Sequence, residues 1–518
     1  MNQSKNDRLP LNMATYALLQ IVNMLVGIFL PRLFLAAYGS EINGIISTVN
    51  SFVSYFSYLE AGLGLTLIHS LFKPLANQDT DKINGVLSYS NKQYKNISYI
   101  YFALVVALSL IFPLIKGSDA LGSFEFISLV FVIGAYGAVD FYTMAKYRVL
   151  LTADRKEYII SGAMIIAQLI RFVFVWLLLS FKLSVVLVKI VPIITLLVRS
   201  IILKLYVKKY YKEVDFSAIA CENIPASKHR WDALLLQISI TTSISLPTII
   251  VSQVLGYKEA NVYAIYSLIA SSMISIVSSL SSGVSPMLGR NIAMNQSINK
   301  IYDMYDFIVT VTLSVVFSTM SVMTISFVRI YTNVVSDVNY IYPIYALLFS
   351  LFGALYSYRI PITAVINAAA IYRENRINNI INLLIQLVLG IACTLIFGIP
   401  GLLVALILSS VHRNISLTTI NNKVLLKGNI YKSVVRQLVM ILTITASFLI
   451  GNYIFSINDI NFIQWIAIAI LTVIIECFLC LLIYTVIDIN NSKEAFSFIK
   501  SKIKSLLKNR NKEISNDK

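Results

Sequence analysis

Charge is what this sequence has least of. Only 13% of its 518 residues are Asp, Glu, Lys or Arg, while 57% are hydrophobic. So few polar side chains cannot cover that much apolar surface in water, which excludes an ordinary soluble globular protein. Histidine occurs three times and cysteine four times. His69 and His412 each stand alone, with no partner at catalytic spacing. Cys221, Cys393, Cys477 and Cys480 include one CxxC, but it lies within an apolar run, not at a strand–helix turn, so packing is the favoured reading. Metal ligand sets, cofactor motifs and nucleophile–base pairs are therefore not expected. A long polar insertion is also missing. The widest gap on the expected outer side runs from Lys116 to Gly122, too short to hold an external catalytic site. Enzyme activity is not expected.

What is present is long apolar segments. Fourteen can be drawn between Asn12 and Ile487. Twenty such residues in a helix match a hydrocarbon core of about 30 Å. The expectation is an all-α polytopic membrane protein with 14 transmembrane helices. Lys5 and Arg8 precede an apolar stretch from Leu11 to Tyr38, longer than a signal-peptide core, so that stretch reads as helix 1. Cations fall in every second gap. Thirty-three lie in gaps assigned inside, against Lys116, Lys182 and Lys258 outside. This predicts an even number of helices with both termini in the cytoplasm. It also turns the net charge of +17 toward anionic lipid headgroups and away from nucleic acid. Phe496, Ile499, Ile503 and Leu506 recur at helical spacing among lysines, predicting a basic amphipathic helix on the inner leaflet.

The chain repeats itself at an offset near 217 residues. Leu18-Leu19-Gln20 recurs as Leu235-Leu236-Gln237, Gly39 as Gly256, Lys82-Ile83 as Lys300-Ile301, and Ala153-Asp154-Arg155-Lys156-Glu157 is echoed by Ala370-Ile371-Tyr372-Arg373-Glu374. Six helices separate the copies, so both halves cross in the same sense, about an axis along the membrane normal. The implied organisation is an N-lobe over 1–215, a C-lobe over 216–435, helices 13 and 14 over 436–488, and the basic tail over 489–518. Pro31 and Pro247 fall at matching depth, as hinges or as static kinks.

Six cations lie within the predicted spans: Arg32, Arg171, Lys189, Arg199, Arg329 and Arg359. Glu60, Asp140 and Glu476 join them. Each costs about 2.5–3.5 kcal/mol at mid-depth unless it faces protein or water. Arg32, Lys189 and Arg329 lie near outer helix ends, where snorkelling competes with function. Arg171 and Arg359 lie deeper and are the first candidates for binding an anion, with Arg32 next. Asp140 and Arg359 fall on repeat-related helices, either as an ion pair locking the lobes or as charges on a cavity. Ser271, Ser275, Ser278, Ser282 and Ser285 form a stripe that suits close helix packing or a hydrated lining.

Several local stretches carry a family resemblance. They are Leu30-Pro31-Arg32-Leu33, Tyr38-Gly39-Ser40-Glu41-Ile42-Asn43-Gly44, Leu59-Glu60-Ala61-Gly62-Leu63-Gly64 and Lys73-Pro74-Leu75, with an echo at Thr152-Ala153-Asp154-Arg155. The chain resembles Wzx-like polysaccharide repeat-unit flippases of the multidrug/oligosaccharidyl-lipid/polysaccharide exporter superfamily. The resemblance implies a V-shaped pair of six-helix bundles plus two C-terminal helices. It implies translocation of undecaprenyl-diphosphate-linked oligosaccharide between leaflets by alternating access, coupled to H+ or Na+ and with no cofactor. Its expected partners are the lipid-linked oligosaccharide, membrane lipids, and a polymerase with other assembly proteins, around a monomer. Arg359, Arg171 and Arg32 are the expected diphosphate contacts. Glu60 and Asp140 either hold those arginines or take the coupling ion. A lipid II flippase and a multidrug antiporter of the same superfamily are the rival readings.

Overall fold

A computed structural model describes residues 8–60, 63–216, 230–281, 284–294, 297–369, 371, 374–423, 430–454, 461–489 and 491–494. Among these the chain is helical, with no strand. The helices are α1 (Arg8–Phe56), followed by a 3-10 turn (Ser57–Glu60), α2 (Leu63–Asn77), α3 (Thr80–Ile115), α4 (Ser123–Thr143), α5 (Ala145–Ala153), α6 (Glu157–Ser180), α7 (Val185–Tyr210) and α8 (Arg230–Val254). They continue as α9 (Tyr257–Ser281), α10 (Val284–Ala293), α11 (Asn299–Thr332), α12 (Pro343–Tyr358), α13 (Ile360–Ala369), α14 (Arg376–Asn421), α15 (Ile430–Ile454) and α16 (Phe462–Ile487). Among the described residues, eleven helical stretches are long and apolar enough to cross a membrane. The protein is a multi-pass membrane protein.

Two of the fourteen expected segments merge with a neighbour for a geometric reason. α1 has 49 residues and α14 has 46, each about twice a single span. Each is broken once, at Gly39 (φ 77°) and at Gly398 (φ 65°). Those left-handed conformations suit glycine because it has no Cβ to clash. The breaks fall where the sequence separates helices 1 from 2 and 11 from 12. Gly256, 217 residues after Gly39, also has positive φ, at 119°. Pro31 and Pro247 both lie inside helices.

Two expected spans, over 42–72 and 339–369, are interrupted instead of continuous, and the one over 123–146 ends early, at Thr143. The second stops at Phe56, turns through Ser57–Glu60 and resumes as α2. The fourth breaks at Met144 between α4 and α5, and the tenth breaks at Arg359 between α12 and α13. The last two breaks stand 215 residues apart, close to the repeat interval. The predicted amphipathic tail helix lies outside the described residues, as do Cys221 and Ser282.

The chain forms two compact units. One is Met1–Ala264 with the short segment Thr332–Val338; the other is Ile265–Tyr331 with Asn339–Lys518. In the first unit, Phe34, Ile45 and Val49 of α1 pack with Phe112 of α3, Phe126 of α4 and Val188 of α7. A second cluster joins Leu67 and Leu71 of α2 to Leu87 and Tyr94 of α3, Leu150 of α5 and Leu203 of α7. At Gly44 the backbone of α1 comes so close to Tyr257 that a Cβ would stand 1.8 Å from the Tyr257 carbonyl oxygen. In the second unit, α12 is buried along most of its length and packs on α14 and α15. α16 presents Ile463, Phe478 and Val486 outward, as a lipid-facing helix does, and buries Cys480 beside Phe307 and Tyr484. Cys477 and Cys480 are free thiols.

Candidate functional site

The buried cations divide by whether a carboxylate meets them. Asp140, near the end of α4, accepts from Arg199 of α7 and lies 3.1 Å from Arg148 of α5. Arg199 is 7% exposed, so this acid neutralises a guanidinium that would otherwise sit charged in a dry helix contact. Asp140 is therefore occupied within its own unit. Glu60 accepts a hydrogen bond from the Tyr94 hydroxyl at 2.7 Å, from its place in the 3-10 turn. Glu476 accepts from the Ser447 hydroxyl at 2.9 Å.

A larger neutralised cluster escaped the sequence reading. Arg436 of α15 is 4% exposed. It meets Asp306 at 2.7 Å and Asp303 at 2.8 Å, both on α11, and Asp488 just past α16 at 2.7 Å. Lys432 reaches Asp303 at 3.2 Å, and Tyr358 donates to Asp306 at 3.4 Å and to the Ser433 carbonyl at 3.2 Å. A cavity of about 270 Å³ opens beside them, lined by Asn299, Tyr302, Thr418 and Asn422 among others. One guanidinium thus ties α11, α15 and the end of α16 together. The sequence signal was Asp303 and Asp306 three residues apart on one helix face, which is legible only once α11 is known to begin at Asn299.

Two of the expected arginines have no such partner. Arg359 closes α12, is 8% exposed, and lays its guanidinium 3.6 Å over the Tyr356 ring. No carboxylate meets it among the described residues. Arg413 of α14 is near enough for the two charges to repel. Arg171, midway along α6, has a buried Nε without a hydrogen-bond partner and no acid among the described residues. Lys189, on the neighbouring α7, stands 3.9 Å over the Phe34 ring. Arg32 donates to Asn333 Oδ1 at 3.0 Å.

Around Arg359 and Arg413 runs a seam of amides. Asn375, Asn378, Asn379, Asn382 and Gln386 share one face of the first arm of α14, over about 16 Å. The second arm answers with Ser409, which donates to Asn382 Oδ1 at 2.7 Å, and with Asn414, which donates to the Leu355 carbonyl of α12 at 2.9 Å. Asn379 Oδ1, Asn382 Nδ2, Asn414 Oδ1 and Ser357 Oγ are buried without a partner among the described residues. Each orphan costs about 1–3 kcal/mol until water or a ligand satisfies it. The serine stripe of α9 is less demanding: Ser271 and Ser275 return their hydroxyls to carbonyls of their own helix.

Solved structures share this arrangement of helices. The lipid II flippase MurJ in an inward closed conformation superposes with a TM-score of 0.64 at 14% identity, over 92% of this chain and 98% of that one. This is the fold of the MurJ and MATE transporters. An inward-facing multidrug-resistance MATE family transporter of the MOP superfamily gives 0.58 at 13% identity, over 83% of this chain and 95% of its own. An outward-facing MATE transporter gives 0.54 at 13% identity, over 84% and 96%. All three are transporters or flippases, and at these identities the likeness is one of fold. No family model matches the sequence, and no curated protein matches it.

Proposed function

We propose that the protein is a flippase for undecaprenyl-diphosphate-linked oligosaccharides, moving them from the inner to the outer leaflet for surface polysaccharide assembly. The observation that carries this reading is selective neutralisation. Arg199 and Arg436 are held by carboxylates, whereas Arg359, equally buried, is left without one among the described residues. A cation kept charged in a membrane helix without a resident acid suits a transient anion, and guanidinium suits diphosphate oxygens. Arg171 supplies a second such charge in the other unit. The half-satisfied amides beside Arg359 offer donors and acceptors of the kind sugar hydroxyls use. The prenyl chain stays in lipid while the polar head crosses. Glu60 and Asp140 serve in this scheme as fixed partners of Tyr94 and Arg199.

A lipid II substrate differs in its sugar and shares the diphosphate, and the MurJ fold keeps that reading as the alternative. The test is transport by purified protein in proteoliposomes. A polyprenyl-diphosphate-linked oligosaccharide and lipid II are loaded separately, and appearance in the opposite leaflet is read by enzymatic access. Faster crossing of the oligosaccharide, lost in Arg359→Gln, supports the proposal. Crossing of lipid II alone selects the alternative. Unchanged crossing in both Arg359→Gln and Arg171→Gln overturns the assignment of the site.

A further inference from the structure

The first unit holds a cluster of cations that the scheme above does not use. Lys146 of α5 donates to Asn91 Oδ1 of α3 at 3.2 Å. Lys95 of α3 and Lys204 of α7 are each near enough to Lys146 for the charges to repel. Among the described residues no carboxylate pairs with any of the three, and Asp140, earlier on α4, is already taken by Arg148 and Arg199. A ring system lies one helical turn from the lysines, toward the apolar part of the helices. Tyr99 follows Lys95 by four residues on α3, and Tyr142 precedes Lys146 by four. Lys95 stands 5.7 Å over the Tyr142 ring, and the Tyr99 and Tyr142 rings are 6.4 Å apart. Ser200, four residues before Lys204, donates to the Thr143 carbonyl at 3.4 Å and so fastens α7 beside them. Tyr99 and Tyr142 are 62% and 43% exposed. The same face of α3 continues through Phe102, Leu110 and Leu114, all exposed and apolar, as a face turned to acyl chains is.

We propose that this end of α3, α5 and α7 binds one anionic glycerophospholipid, its phosphate among Lys95, Lys146 and Lys204 and an acyl chain along Tyr99 and the apolar face of α3. Charge selects the headgroup. Three ammonium groups from three helices crowd together without an acid, and a phosphate relieves their repulsion while accepting from them. The walls select a lipid as the source of that phosphate. Two exposed tyrosines adjoin the cations, as amphipathic rings do where headgroups meet hydrocarbon. From Tyr99 an exposed apolar stripe leads away from the lysines, and a soluble anion has no use for it. The inference does not rest on the transported substrate, since none of these residues is among those proposed to meet its diphosphate.

The test uses the full chain with Trp176→Phe, Trp231→Phe and Trp465→Phe, and with Tyr99→Trp as its one tryptophan. It is reconstituted in phosphatidylcholine vesicles containing either brominated phosphatidylglycerol or brominated phosphatidylcholine, and quenching of that tryptophan is titrated. Each lysine contacting an anionic headgroup gives about a fivefold preference for the anionic lipid, so three give roughly a hundredfold. Lys204→Gln, at an exposed position, lowers the preference about fivefold, and Lys204→Arg keeps it. Lys73→Gln takes the same charge from an exposed position on α2 and leaves the preference unchanged. Equal quenching by both lipids overturns the proposal, as does a preference that falls as far in Lys73→Gln as in Lys204→Gln, or one that survives Lys95→Gln with Lys204→Gln. Loss of the preference when inorganic phosphate is added to the buffer means that the cluster takes the free ion, and this overturns the lipid assignment. Displacement by polyprenyl diphosphate at a mole fraction where unbrominated phosphatidylglycerol has no effect assigns the cluster to the transported substrate and overturns it as well.

Discussion

Arg436→Met is the sharpest test of how charge is handled inside this protein. Methionine keeps most of the side-chain volume and removes the guanidinium. Asp306 is 2% exposed and its side chain meets that guanidinium at 2.7 Å, so the substitution strands a nearly buried carboxylate without its cation. Breaking a buried pair in this way costs about 3–5 kcal/mol. Asp303 and Asp488 lose the same partner, but their side chains are 32% and 14% exposed, and Lys432 still reaches Asp303. Most of the loss therefore belongs to Asp306. Asp306→Asn in the Arg436→Met background removes the stranded charge and recovers about 2 kcal/mol or more. The measurement is reversible unfolding in mixed micelles for the wild type, both single variants and the double variant. If Arg436→Met unfolds at the wild-type denaturant concentration, or if the double variant is less stable than Arg436→Met, the account of one arginine neutralising α11, α15 and α16 is wrong.

Arg359→Gln is expected to behave in the opposite way. It removes a buried charge that has no acid among the described residues, so stability in the same unfolding assay stays level or rises while transport falls at least tenfold. Asp140→Asn lowers stability by about 3 kcal/mol, because Arg199 loses the carboxylate that neutralises it, and denaturant unfolding reads this directly. Gly44→Ala pushes a methyl against the Tyr257 carbonyl and destabilises the first unit by about 1–3 kcal/mol; wild-type stability there refutes the close approach. Asp337 lies outside the membrane-spanning helices. Burial pushes its carboxyl up, but the Ser40 amide and hydroxyl, at 3.0 and 2.6 Å, outweigh that and hold it below the usual carboxylate range. Its contribution to stability is therefore complete above about pH 4 and is lost as pH falls through the folded value; Asp337→Asn removes that part of the acid dependence.

Much of the architecture is legible in one dimension because the bilayer enforces it. A span must be apolar, helical and about 20 residues long, and those three demands leave a pattern that can be counted. The interruptions at Ser57–Glu60, Met144 and Arg359 were not legible, because a polar or charged residue within a span marks a cost without saying whether the helix breaks there. Arg171, Arg359, Arg32, Glu60 and Asp140 stood out as charges in oil, but charge alone does not name a partner.

Composition and order by themselves determined that this chain lives in a membrane, that it is helical, and that ionisable groups lie deep within it. Hydrophobic periodicity and the cost of an exposed peptide bond are local properties, and a sequence carries them in full. Only the folded chain decided which of those ions are matched. Arg199 found Asp140 across 59 residues, and Arg436 found Asp306 across 130. Arg359, three residues from the Tyr356 whose ring it covers, found no carboxylate among the described residues. Such matching depends on distance in space, and distance in space is set by how helices far apart in the chain come to pack.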